Sequence, residues 1–338
     1  MSRPTQLICL LALFAAAIMP ARAAPLAPKV MVITMFGPEA APWREAESFT
    51  RHVEVVGLSP RYPQVDCTDA GLCLVTTDMG KANAASTLTA LVVSPDFDLR
   101  QTYFLIAGIG GVDPDDATLG SALWARYAID GGLVHLVDPR QQPAGWSSNV
   151  LMLGANAPGQ KSTWRTDNEL FQLDEALLQK AYALSAQVPL EDSDVAKAYR
   201  QRYPQTAAHS SPGVGICDTL TGDTYWHGSL IAQALQAYVQ LTTEGKGNYC
   251  TTQMEDNATL TALKRGAEAG KLRFDRIALL RTASNFDREA PGQEVGASLS
   301  AKSGGFLPAT HNAYRVGHAL VADILARWDV WARGVPKE

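Results

Sequence analysis

The sequence predicts an α/β protein in which a mixed, mainly parallel sheet is covered by helices. Two observations carry that expectation. Short β-rich apolar runs alternate with longer segments of helical period, the order expected when parallel strands are joined by crossover helices. Glycine and polar clusters also follow successive strands, as they do where open α/β sheets bind ligands.

The first two dozen residues stand apart from that pattern. Arg3 supplies positive charge, Leu7 to Met19 is an unbroken apolar run, and Ala21-Arg22-Ala23 has the small-x-small form of a signal-peptidase site. The run is shorter than the ~20 residues that a bilayer-spanning helix needs. Residues 1–23 are therefore read as a cleaved signal peptide and 24–338 as the mature protein, periplasmic or secreted, with no integral membrane segment. Cleavage removes Arg3 and Arg22 and takes the formal net charge from −5 to −7. That balance gives no reason to expect nucleic acid as a partner.

In chain order, Lys29 to Phe36 reads as the first strand, Leu72 to Asp78 as another, and Thr102 to Ala107 and Ser121 to Ala128 as two more. A core-facing helix is expected at about 228–243 through Leu230, Ala234 and Tyr238. A second is expected at about 313–332 through Val316, Leu320, Ile324 and Trp328. Residues 139–212 are richer in Pro, Gln, Ser and charge, with helical patches near 173–186 and 192–202, and read as an insertion or cap on a single domain. There is no internal repeat.

Export removes Cys9 and leaves Cys67, Cys73, Cys217 and Cys250. An even count in an oxidising compartment favours disulfides, and three pairings are open. Cys67 with Cys73 is preferred because a short polar turn separates them, which leaves Cys217 with Cys250. Buried free thiols are the alternative. No Cys-x-x-Cys or close Cys/His pair offers zinc spacing, so no metal is expected.

The clusters after the strands are Phe36-Gly37-Pro38-Glu39, Asp78-Met79-Gly80-Lys81-Ala82-Asn83 and Ala107-Gly108-Ile109-Gly110-Gly111. Their spacing matches neither the dinucleotide fingerprint nor a P-loop, which argues against those cofactors. Asp78-Met79-Gly80-Lys81-Ala82-Asn83-Ala84-Ala85 resembles a Gly-Ile-Gly-Lys-Val-Asn-Ala-Ala segment of the nucleoside phosphorylase and nucleosidase superfamily. Thr221-Gly222-Asp223-Thr224-Tyr225, Gln253-Met254-Glu255 and Ser284-Asn285 are similar to its later motifs, in the same order. Within that superfamily, Asp223 to Gly228, Asn312 to Gly317 and the long insertion look like the purine nucleoside permease family. The resemblance covers roughly residues 29 to 335.

It implies a three-layer α/β sandwich, a small-molecule purine nucleoside as ligand, and no metal or organic cofactor. A homo-oligomer is neither required nor excluded. Gly37, Gly80 and Gly108 would shape the binding loops. Met254 would lie under the sugar and Glu255, an acceptor-only group when ionised, would take its hydroxyls. Tyr225 would stack on the base. Trp226 and His227 belong at most to the rim.

Asn285 stands where nucleosidases carry a proton-donating Asp. An amide can donate a hydrogen bond to purine N7 but cannot protonate it. Asp287, two residues on, is expected to cap a helix, with a substitute acid as the alternative. Glu39 falls on the carboxylate that activates water, and no arginine follows Gly37 until Arg44. Hydrolysis is thus the expected reaction, ahead of phosphorolysis. Two readings without catalysis remain beside it: a nucleoside-binding component of uptake, and a degenerate storage or scaffold protein.

Overall fold

The computed structural model describes residues 24–337, so the expected signal peptide, 1–23, lies outside the described residues. Fourteen strands are present among them: β1 Val30–Thr34, β2 Arg51–Glu54, β3 Gln64–Cys67, β4 Leu72–Thr76, β5 Tyr103–Val112, β6 Ala122–Trp124, β7 Tyr127–Asp130, β8 Val134–Leu136, β9 Val150–Met152, β10 Leu170–Gln172, β11 Val214–Ile216, β12 Thr219–Thr221, β13 Thr251–Gln253 and β14 Ile277–Phe286. The helices are α1 Gly37–Ala46, α2 Lys81–Val93, α3 Glu175–Ser185, α4 Asp194–Arg200, α5 Thr206–His209, α6 Ser229–Thr242, α7 Asp256–Glu268, α8 Val295–Leu299, α9 Phe306–Ala326 and α10 Trp328–Trp331.

Twelve strands form one mixed sheet with the path β10-β7-β12-β13-β5-β1-β4-β3-β2. β14 runs parallel to β5 and also pairs antiparallel with β6, which pairs in turn with β11. β5 can serve this many neighbours because it is long. Tyr103–Ile106 lies beside β1, whereas Gly111 and Val112 pair with β13. Because the chain passes from β6 to β7 across only Ala125 and Arg126, the strands β5, β14, β6, β7, β12 and β13 form a closed circuit.

The period-2 alternation of the strands divides the core. Met31 and Ile33 of β1 join Leu88 and Leu91 of α2 and Leu260 and Leu263 of α7. Val30 and Val32 face the other way, onto Trp43 of α1, Leu177 and Leu178 of α3, and Val316 and Leu320 of α9. These are the three layers of the sandwich. Residues 139–212 supply the edge strand β10, α3 against α9, and α4 in a further cluster around Phe286.

Several sequence expectations are corrected. The third expected strand does not stop at Ala107, since β5 continues through Gly108–Gly111 with β14 alongside. The segment Ser121 to Ala128 breaks into β6 and β7, because the two halves take different partners. Leu230 is 82% exposed, and the buried face of α6 is Ala232, Leu235, Tyr238 and Val239. The last long helix begins at Phe306, and Trp328 opens the separate α10.

Both expected disulfides are formed, Cys67–Cys73 and Cys217–Cys250. The first joins β3 to β4. The second links the residue before Asp218 and β12 to the residue before β13, so it ties together two strands whose opposite ends reach the cavity described next.

Candidate active site

A cavity of about 220 Å³ opens at the C-terminal ends of β1, β12, β13 and β14 and along the glycine half of β5. Glu39, Tyr225, Met254, Glu255 and Asn285 all line it, together with Met35, Phe36, Trp226, Gln253 and Arg281. Gly37, Gly80 and Gly108 do not line it; they act from behind the wall.

Glu39 is not in a loop. It sits in the first turn of α1, where Phe36 is the cap and Pro38 enters the helix without loss of a needed donor. It is 2% exposed. Its Oε2 accepts from the Met35 amide at 2.7 Å and its Oε1 from the Ile109 amide at 2.7 Å, so β1 and β5 both hold it. Burial pushes its pKa up to about 7, against the opposing effect of the Arg281 charge and the two amides.

Arg281 was not apparent in the sequence. Its guanidinium is buried and binds Asp256, with a weaker contact from Nη2 to Glu255 Oε2 at 3.3 Å. Asp256 is held further by the Gln253 amide. The available signal was a lone arginine within the apolar run Ile277-Ala-Leu-Leu-Arg281, where a buried cation needs a carboxylate partner. Gly108 is explained by the same convergence. A Cβ there would stand 2.0 Å from Met35 Cε, 2.6 Å from Arg281 Nη1 and 2.6 Å from Glu39 Oε1.

Glu255 is 4% exposed and its pKa is raised, first by burial, with Arg281 opposing. Its Oε1 accepts from the Gly80 amide at 3.0 Å. Gly80 has φ +90°, a conformation open to glycine, and it turns that amide toward Glu255. The Lys81 amide then reaches Asp223 at 2.7 Å, and the Lys81 Nζ reaches Asp130 at 2.5 Å. Thus the Asp78–Lys81 turn laces the starts of the loops after β12 and β13 to α2. Gly37 plays a lesser part: its amide donates to the Tyr62 hydroxyl at 2.9 Å.

At the end of β14, the Asn285 Nδ2 donates to the Phe286 carbonyl and to the Tyr225 hydroxyl, both at 3.0 Å. A carbonyl only accepts, so this contact fixes which end of the amide is NH2. Tyr225 is 60% exposed at the cavity mouth. Asp287 corrects the expectation of a helix cap. Its carboxylate is buried, accepting from the Tyr249 hydroxyl at 2.6 Å and from Arg288 Nε at 2.7 Å, and α8 begins only at Val295. His227 bonds Ser298 at 2.9 Å through Nε2, burial lowers its pKa, and it does not line the cavity. Arg44 pairs with Asp66 and is likewise outside it.

This architecture is the fold of nucleosidases of known structure. Among solved structures, a 5′-methylthioadenosine/S-adenosylhomocysteine nucleosidase of Neisseria meningitidis superposes with a TM-score of 0.51 at 16% identity, over 88% of this chain and 99% of that one. Futalosine hydrolase of Helicobacter pylori gives 0.53 at 14% identity, over 88% and 98%.

The chain belongs to the purine nucleoside permease family, whose model matches residues 27–336. A probable purine nucleoside permease of Schizosaccharomyces pombe is 38% identical over 323 residues, covering 90% of this chain and 91% of its own length. The purine nucleoside permease of Candida albicans is 35% identical over 308 residues, covering 89% and 76%.

Proposed function

We propose that the chain binds a purine nucleoside in this cavity and hydrolyses its N-glycosidic bond. The observation that carries the reading is Glu39: a buried carboxylate, clamped by two amides, facing a cavity, with a pKa of about 7. A structural acid at a helix start gains nothing from such burial, whereas a general base is most effective when its pKa lies near the working pH. Names given to the relatives, purine nucleoside permease and nucleosidase, favour the ligand class.

In this reading Met254 and Glu255 hold the sugar, and Tyr225 and Asn285 engage the base. A water gives its proton to Glu39 as its oxygen bonds to C1′. The C1′–N9 bond breaks and its electron pair passes to the purine, which the Asn285 NH2 stabilises by a hydrogen bond at N7 once the N–H now given to the Tyr225 hydroxyl turns to the base. The proton on Glu39 returns through solvent to the departing base. Free base and ribose result.

Water is favoured over phosphate by charge. Arg281 is the one guanidinium among the lining residues and is already committed to Asp256 and Glu255, so a phosphate dianion would meet Glu39 and Glu255 without a free cation. The permease names favour a second reading, a binding component of nucleoside uptake that acts without catalysis. Among the described residues no helix is long and apolar enough to cross a membrane, so that reading calls for a separate pore. An exported location is supported by the two disulfides.

Incubation of purified protein with inosine or adenosine in phosphate-free buffer tests these readings. Free base and ribose are expected. Ribose 1-phosphate formed only on addition of phosphate would indicate a phosphorylase, and tight binding without base release would favour uptake.

A further inference from the structure

The loop from Gly222 to Gly228 carries two aromatic residues into the cavity wall, and the second is the better anchored. Trp226 lines the cavity, and one edge of its ring lies on the Gly222 backbone, where a Cβ would come within 2.8 Å of Cζ3. Its Nε1 donates to the Tyr249 hydroxyl at 3.1 Å. Tyr249, fully buried and outside the cavity lining, donates in turn to Asp287 Oδ2 at 2.6 Å. Asp287 is locked by Arg288, which also binds Asp113. The Asp287 carbonyl accepts from the Gly228 amide at 3.0 Å, so both ends of the Trp226–Gly228 segment are tied to Asp287, the residue after β14, one of them through Tyr249.

A buried acid, a buried phenol and a guanidinium form a costly assembly to place behind an aromatic ring unless the ring's orientation matters. Tyr225, by contrast, is 60% exposed, and among the described residues its hydroxyl is bonded by Asn285 alone. We infer that Trp226 is a base-facing wall of the cavity that selects a planar heteroaromatic ring, and that Tyr249 and Asp287 are positioning residues that fix its indole. The inference rests on the purine nucleoside reading and assigns base selection within it.

The test uses Trp226→Phe, Tyr249→Phe and the double variant, with calorimetric titration of hypoxanthine and of ribose. Each single variant is expected to weaken hypoxanthine about tenfold and to leave ribose unchanged. The double variant should be no weaker than the poorer single one, because both substitutions break one link. Fluorescence quenching on hypoxanthine binding should be reduced in folded Trp226→Phe. A loosened fold would weaken both ligands together, and that result would overturn the assignment. Unchanged hypoxanthine affinity in folded variants, or additive losses in the double variant, would also overturn it. If the unaltered protein binds neither purine bases nor purine nucleosides, the underlying reading fails instead.

Discussion

Replacing Glu39 by Gln probes the reading at its centre, because rate and stability respond with opposite signs. A base with a pKa of about 7 is about one-tenth ionised at pH 6 and about nine-tenths at pH 8. The ratio kcat/KM for inosine should therefore rise about tenfold between those values, with its midpoint near 7. Glu39→Gln should lower it by ~100-fold or more and remove the midpoint.

Stability runs the other way. Burial raises the folded pKa from 4.5 to about 7, so between those values the folded state holds the extra proton and stability falls as pH rises. Above pH 7 the accumulated cost is on the order of 3 kcal/mol, from about 1.4 kcal/mol for each pKa unit. Gln carries no such penalty, although its NH2 must face one of the two clamping amides, which takes back ~1–2 kcal/mol. The variant should melt at or above the parent at pH 8 and below it at pH 5. A flat rate profile from pH 6 to 8, or a Gln variant with near-parental turnover, would refute the role of Glu39.

Other outcomes follow from the same geometry. Glu255→Ala should weaken nucleoside binding by about 1.5–3 kcal/mol and leave the free base nearly unaffected, measured by calorimetry. Gly108→Ala should cost ~1–3 kcal/mol of stability and most of the activity, because the methyl group collides with Met35, Glu39 and Arg281. Gly213→Ala, with no atom within 4 Å of its Cβ, serves as the control in thermal melts. Replacing Cys217 and Cys250 by Ser should destabilise more than replacing Cys67 and Cys73, by about 4 against about 2 kcal/mol, since the closed chain is longer in the first pair. Urea titration of the two double variants checks the order.

The parallel core was legible because strands such as Val30–Thr34 are unbroken apolar runs, and a run buried on both faces needs no alternation. The glycine half of β5 was not. A loop is the ordinary reading of Gly108-Ile109-Gly110-Gly111; pairing with β14 and β13, far along the chain, makes a strand of it, and the crowding side chains explain why it is glycine-rich. The phase of α6 was misjudged at Leu230 because the face that is covered is set by packing on Ile129, Val150 and Leu220, not by the helix itself. Met254, Glu255, Tyr225 and Asn285 could be picked out by resemblance to known motifs. Trp226 could be placed no closer than the rim, and Arg281 and Asp256 were not singled out, since their placement depends on contacts between residues far apart in sequence.

The closed circuit of β5, β14, β6, β7, β12 and β13 has a consequence for ligand exchange. An open sheet can splay at its free margin; here β5, β14, β12 and β13 each have a paired neighbour on both sides, and β6 and β7, which do not pair with each other, are held together by a two-residue connection. Four of those strands carry the cavity residues. Entry and release are therefore expected at the exposed Tyr225 of the mouth and not between the strands, whose amide protons should exchange slowly and together in hydrogen-exchange measurements.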